Sequence, residues 1–168
     1  MDLIILGAGG FGQTVSDIAE QSGIYQKIYF LDDNSSSKDV IGKCSDYIQY
    51  KDSHIYPAFG NNEIRLNWIE KLESEGFIVP TIKHLTSFVS PKAYIGSGCV
   101  ILPNAIINTN TKVEKGCIIN CGAIIDHGCV IEEGCHICLG AIIKAENRIT
   151  KYAKIEAGEI VQARTIPV

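Results

Sequence analysis

The chain has 168 residues, 46% hydrophobic and 20% charged, with a formal net charge of −4. That apolar content argues for a packed protein and against disorder. The negative balance gives no bulk attraction to nucleic acid or an anionic membrane, and no run approaches the ~20 apolar residues that cross a bilayer. The opening MDLIILGAGG lacks a basic start and a small-residue cleavage site, so the chain is expected to be cytoplasmic. Seven cysteines, with no export signal, are then expected as free thiols.

Leu3–Leu6 reads as a short apolar strand, followed by Gly7-Ala8-Gly9-Gly10-Phe11-Gly12. Thr14–Ser22 carries Val15, Ile18 and Ala19 at helical spacing. Lys27–Leu31 is a second strand running into Asp32-Asp33, and Asn34–Asp39 is a polar loop. Ile55–Phe59 is a third strand. Asn61 caps a helix with Ile64, Trp68 and Leu72 on one face, closed by Gly76. Phe77–Ile82 is a last strand. Alternating β and α predicts a small Rossmann-like parallel α/β domain over residues 1–84.

Gly7-x-Gly9-x-x-Gly12 sits between a strand and a helix, the context of a nucleotide-binding fingerprint. Glycines there let backbone N–H groups approach a phosphate. Asp32-Asp33 follow about twenty residues on, where a ribose or base contact is expected. The short domain suits a mononucleotide half. The bland alternative is a tight turn that needs glycine for packing.

From Val89 every sixth residue is a β-branched aliphatic: Val89, Ile95, Ile101, Ile107, Val113, Ile119, Ile125, Ile131, Ile137, Ile143, Ile149, Ile155 and Val161. The fifth place of the hexad is mostly small, including Cys99, Cys117, Cys129 and Cys135, and the fourth is often Gly. This pattern predicts a parallel β-helix over residues 85–168, with aliphatics inward, small apolar residues at the corners and glycine supplying positive φ.

Of four histidines, His54 reads as structural and His84 as a linker residue. His127 and His136 lie within the repeats. His127 holds the third place of its hexad, beside Asp126, so it is expected to face outward. An imidazole beside a carboxylate can serve as a general base, and on spacing alone a solvated surface histidine fits equally well. Two coil histidines without a third at suitable spacing argue against a metal.

GAGGFG after the first strand, FLDD at the second, GNNEIR before the second helix and IINCGAIIDHGCVIEEGCHICLGA in the repeats together resemble a bacterial family. It is that of the sugar O- and N-acetyltransferases of the sialic-acid O-acetyltransferase and bacillosamine-pathway type. The resemblance implies a left-handed coil, a homotrimer and active sites between adjacent subunits. It implies that Gly9, Gly10, Phe11, Asp32 and Asp33 hold a UDP-linked amino sugar or sialic-acid-like sugar. It further implies that Asn120 contacts substrate, that His127 is the catalytic base, and that His136 and Ala145 contact acetyl-CoA, with no metal. Residues 1–84 would then bind the nucleotide sugar and 85–168 transfer the acyl group, to an amine or a hydroxyl, in surface-glycan synthesis. The chain departs from the family at Phe11, where members often carry His, and at Gly128, where one branch places an acid after the base. A carboxy-terminal coil shorter than the family's, closing on Thr165-Ile166-Pro167-Val168, motivates an alternative: a non-catalytic nucleotide-sugar scaffold or sensor with a truncated CoA site. An NAD-dependent oxidoreductase would need a second nucleotide half.

Overall fold

The computed structural model describes residues 1–34 and 39–165. Most of the expected Asn34–Asp39 loop and the closing Ile166-Pro167-Val168 lie outside the described residues. Four parallel strands come first: β1 (Leu3–Leu6), β2 (Ile28–Leu31), β3 (Val40–Gly42) and β4 (His54–Pro57), in the order β3-β2-β1-β4. Helices α1 (Gly10–Gln21) and α2 (Asn62–Ser74) connect or follow them.

Alternation along β1 sends side chains to two separate cores. Leu3 and Ile5 meet Val15, Ile18 and Ala19 of α1 together with Ile82, Val100 and Ile118 of the repeats. Ile4 and Leu6 meet Ile69 and Leu72 of α2, with Tyr47 and Phe77. The glycine-rich turn is tight for two identifiable reasons. Gly7 has φ +99°, and a Cβ on Gly12 would lie 2.0 Å from the Gly7 carbonyl oxygen.

Two expectations for this domain are corrected. The Asn61 side chain does cap α2, accepting the Ile64 N–H at 3.0 Å, but the buried face is Arg65, Leu66, Ile69 and Leu72, and Ile64 is 49% exposed. Hydropathy spacing misses an arginine whose whole side chain is inside. Phe77–Ile82 is not a strand. It makes one bridge, His54 with Ile78, and Pro80 has no N–H to continue a ladder.

Ile82–Lys83 instead pairs with Val100–Ile101 and forms the first rung of the coil. Lys83 holds the phase position six before Val89, and its charge ends the aliphatic series that sequence can follow. From there two-residue strands stack at a period of 18 residues into three parallel sheets. The first face runs Ile82–Lys83, Val100–Ile101, Ile118–Ile119, His136–Ile137 and Lys154–Ile155. The second runs Phe88–Val89, Ile106–Ile107, Ile124–Ile125, Ile142–Ile143 and Ile160–Val161. The third runs Tyr94–Ile95, Lys112–Val113, Val130–Ile131 and Arg148–Ile149. The inward aliphatics from Ile101 to Ile143 are fully buried. The winding is that of a left-handed β-helix of hexapeptide repeats.

The fourth place has positive φ in Gly98, Gly116, Gly122, Gly128, Gly134, Gly140 and Gly158, and also in Asn104, Asn110, Glu146, Tyr152 and Arg164. The fifth place does more than fill a corner. Cys99, Cys117 and Cys135 donate their S–H to the carbonyls of Glu114, Glu132 and Thr150, each at 3.1 Å and 15 residues on. Cys129 does the same to Lys144, Thr111 to Asp126 at 2.7 Å and Asn147 to Gln162 at 2.8 Å. Thr111 and Asn147, the polar exceptions in a small-residue series, follow the same rule as the thiols.

Helix α2 lies along the corner between the third and first faces, where Ile69 and Leu66 pack on Gly98 and Gly116. Arg65 fixes it there. Its Nε donates to Gly116 O at 2.9 Å, Nη1 to Phe59 O at 3.0 Å, and Nη2 to Asn62 Oδ1 at 2.9 Å and Gly134 O at 3.1 Å. Burial lowers the affinity of this guanidinium for its proton, and the carbonyl dipoles compensate it, with no carboxylate pairing with it among the described residues. Arg65→Ala is expected to cost about 3 kcal/mol or more, since several buried carbonyls lose their donor together. Urea unfolding followed by circular dichroism measures this.

Candidate active site

The glycine loop opens at the carboxy-terminal edge of the α/β sheet. Gly9 caps α1 without a side-chain hydrogen bond, so the first-turn N–H groups keep their partial positive charge. Gly9 and Gly10 are exposed, and a Cβ at either would meet nothing within 4 Å. Packing therefore accounts for Gly7 and Gly12 and leaves Gly9 and Gly10 lining an open surface. Phe11 is half-buried against the core shared with the coil. Asp32 accepts the Ala8 N–H at 2.7 Å and the Asn34 N–H at 2.8 Å, and Asp33 accepts the Cys44 N–H at 3.0 Å. Both carboxylates brace the loop edge.

His127 lies at the corner between the second and third faces, with its side chain 51% exposed. Asp126 Oδ1 accepts its backbone N–H at 2.7 Å and faces its Nδ1 at 3.0 Å. An ionised carboxylate only accepts, so in the neutral ring Nδ1 carries the proton and Nε2 the lone pair. The His127 N–H, with help from the ring and from Asn108, holds the Asp126 carboxyl below its usual range against the cost of burial. Asn108 Nδ2 reaches the same oxygen at 3.3 Å. Sequence reading did not find Asn108; the signal lay one 18-residue period before Asp126. Ala145 sits one period above His127, and the residue after it, Glu146, donates its N–H to the His127 carbonyl.

Asn120 and His136 meet at the opposite edge of the second face, with Asn120 Nδ2 3.1 Å from His136 Nε2. Desolvation, then the charges of Arg65 and Lys154, push the His136 imidazole down to about 4, with Glu156 opposing. Lys154 pairs beside His136 on the first face and lines a cleft with Gly60, Asn61, Asn62 and Tyr152. Within one chain, then, the structure joins Asn120 to His136 and Asp126 to His127 in two separate clusters. His54 bonds Tyr25, and His84 bonds Thr86 and Gln21. Among the described residues, no group of three or more His, Cys, Asp or Glu is arranged to hold a metal, and no helix is long and apolar enough to cross a membrane.

A small α/β domain clamped to a hexapeptide-repeat coil, with histidines on the coil's outer edges, defines a class: the hexapeptide-repeat left-handed β-helix proteins. Residues 58–161 match the family described as GlmU-like, C-terminal hexapeptide, and residues 2–72 match the PglD N-terminal domain. The chain belongs to that hexapeptide family. It is 32% identical to the acetyltransferase domain of PglB from Neisseria gonorrhoeae FA1090, covering 97% of this chain and 83% of that one with a TM-score of 0.92. The same domain in complex with acetyl coenzyme A gives a TM-score of 0.93. GDP-perosamine N-acetyltransferase of Escherichia coli O157:H7 is 31% identical over 120 residues. That match spans 65% of this chain and about half, 54%, of that relative.

His136 gives a pH signature. Its folded affinity for a proton is depressed, so between the ordinary histidine value and about 4 the unfolded chain binds more protons and stability falls as pH falls. His54, lowered by burial, adds in the same direction. The melting temperature is expected to drop from neutral pH towards 4.5, and His136→Gln to flatten that slope in calorimetric scans.

Proposed function

We propose that this chain is an acetyl-CoA-dependent N-acetyltransferase that acts on the amine of a nucleoside-diphosphate amino sugar. In this reading residues 1–84 bind the nucleotide sugar, residues 85–168 transfer the acyl group, and the product feeds surface-glycan synthesis in the cytoplasm. The observation that carries it is the Asp126–His127 pair, which leaves Nε2 free at an exposed corner. Asp126, preceding the histidine, supplies the carboxylate that Gly128 cannot.

The amine would attack the thioester carbonyl while His127 Nε2 removes its proton. A backbone N–H would stabilise the tetrahedral oxyanion. Collapse breaks the C–S bond, and the CoA thiolate takes the proton back from the imidazolium. Gly9, Gly10 and Phe11 would meet the diphosphate and Asp32-Asp33 the ribose side. Asn120 would meet the sugar, and His136 and Ala145 the CoA arm.

The coil also supports the homotrimer. The first three rungs of the first face are covered by the α/β core through Ile82, Val100 and Ile118. The third face presents Lys112 and Arg148, each in an ion pair. The second presents an uncharged ladder of Phe88, Ile106, Ile124, Ile142 and Ile160, with Phe88 53% and Ile160 49% exposed. His127 borders one edge of this ladder and the Asn120–His136 pair the other. A second copy seated on it would bring one chain's base to its neighbour's pair, as the two separate clusters require.

Acetyl transfer to a panel of nucleotide amino sugars tests the chemistry. His127→Ala is expected to lower kcat by about a hundredfold or more, and wild-type activity in that variant removes His127 as base. Nucleotide-sugar binding without acetyl-CoA binding in calorimetry would favour the scaffold. Ile124→Asp is expected to give monomers in sedimentation, with coil circular dichroism retained and transfer lost.

A further inference from the structure

The hydrogen bonds around Asn120 determine where the His136 proton resides. One side-chain atom of Asn120 lies 2.8 Å from the Cys121 backbone N–H. A backbone N–H can only donate, so that atom is the amide oxygen and the other is the NH2 group. The NH2 group has no lone pair to offer, and it lies 3.1 Å from His136 Nε2. Nε2 therefore accepts, and a proton there would set two donors against each other. A neutral ring with Nε2 bare carries its proton on Nδ1.

We propose that Asn120 is a positioning residue that locks His136 as the neutral Nδ1–H tautomer, so that it meets acyl-CoA as a hydrogen-bond donor to a carbonyl oxygen of the thioester or pantetheine arm. The choice of ligand rests on the transferase reading above; the lock does not. His136 faces outward on the first face, where Lys154 from the next coil and Arg65 from α2 are both cationic and, among the described residues, Glu156 is the acid that opposes them. Among the described residues no carboxylate makes an ion pair with His136. The depressed proton affinity of the ring agrees with this setting. His127 then presents a lone pair and His136 an N–H, although both rings hold their proton on the same nitrogen.

Long-range proton–nitrogen correlation spectra of the full chain, labelled with 15N-histidine and assigned with His136→Gln, read the tautomer directly. The expected pattern is Nδ1–H, unchanged from about pH 8 to about 5.5. An Nε2–H pattern, or a His136 midpoint above about 6, overturns the lock. Asn120→Asp supplies the second arm. A carboxylate there accepts from Nε2–H, so at high pH Nδ1 becomes a bare lone pair facing the ligand. CoA affinity of this variant, relative to wild type at the same pH, is expected to be about tenfold weaker near pH 8.5 and to recover near pH 6 as the ring gains its second proton. A ratio independent of pH overturns the donor role. Wild-type protein that shows the Nδ1–H pattern but binds no CoA refutes the assigned ligand and the transferase reading together, and leaves the tautomer standing.

Discussion

This coil, with a corner every six residues, turns its backbone through the left-handed region at each corner from Gly98 to Arg164 and must satisfy the carbonyls it folds inward. The first demand selects the residue at the fourth place of each hexad and the second the residue at the fifth. Glycine meets the first demand most often, and Asn104 and Asn110 meet it as the side-chain-bearing type that best tolerates it. Thiol, hydroxyl and amide donors meet the second on two of the three corners, while Ala105, Ala123 and Ala141 line the third. With the corners fixed, residues 18 apart always become neighbours. That single relation stacks the aliphatic core, sets Asn108 on Asp126, and sets His136 beside Lys154.

The α/β domain cannot drift on this coil, because Arg65 ties α2 to two successive coils at Gly116 and Gly134, and Asn62 reaches a third at the Tyr152 carbonyl. Its charge also lowers His136. One buried guanidinium therefore holds the two domains in register and biases the electrostatics of a candidate ligand residue, so mechanical and chemical roles are coupled in α2.

Periodicity made the coil legible, because a strict six-residue phase survives without any knowledge of contacts. It failed where the phase position is charged, at Lys83, and so placed the first rung in the wrong sheet. Arg65 was invisible for a related reason: hydropathy treats arginine as surface, whereas here the carbonyls of a second domain solvate it. For the candidate site, residue types alone could mark His127 and His136 but not their proton locations. Those follow from which neighbouring atom can only donate or only accept, and that is information about distances. Asn108 and the Asp126 geometry became visible only once the 18-residue period was known.

The thiols carry a last consequence. Six of the seven cysteines are buried, and Cys121 is the one in partial contact with solvent. Native protein thus offers an alkylating reagent a single partly open target, and each further modified sulfur records a particular opening event: Cys44 in the α/β domain, Cys99 to Cys138 through successive coils. The rungs beyond Cys138 carry no sulfur at all, so fraying there would leave no chemical trace. The chain is in effect its own unevenly spaced recorder of how the coil comes apart.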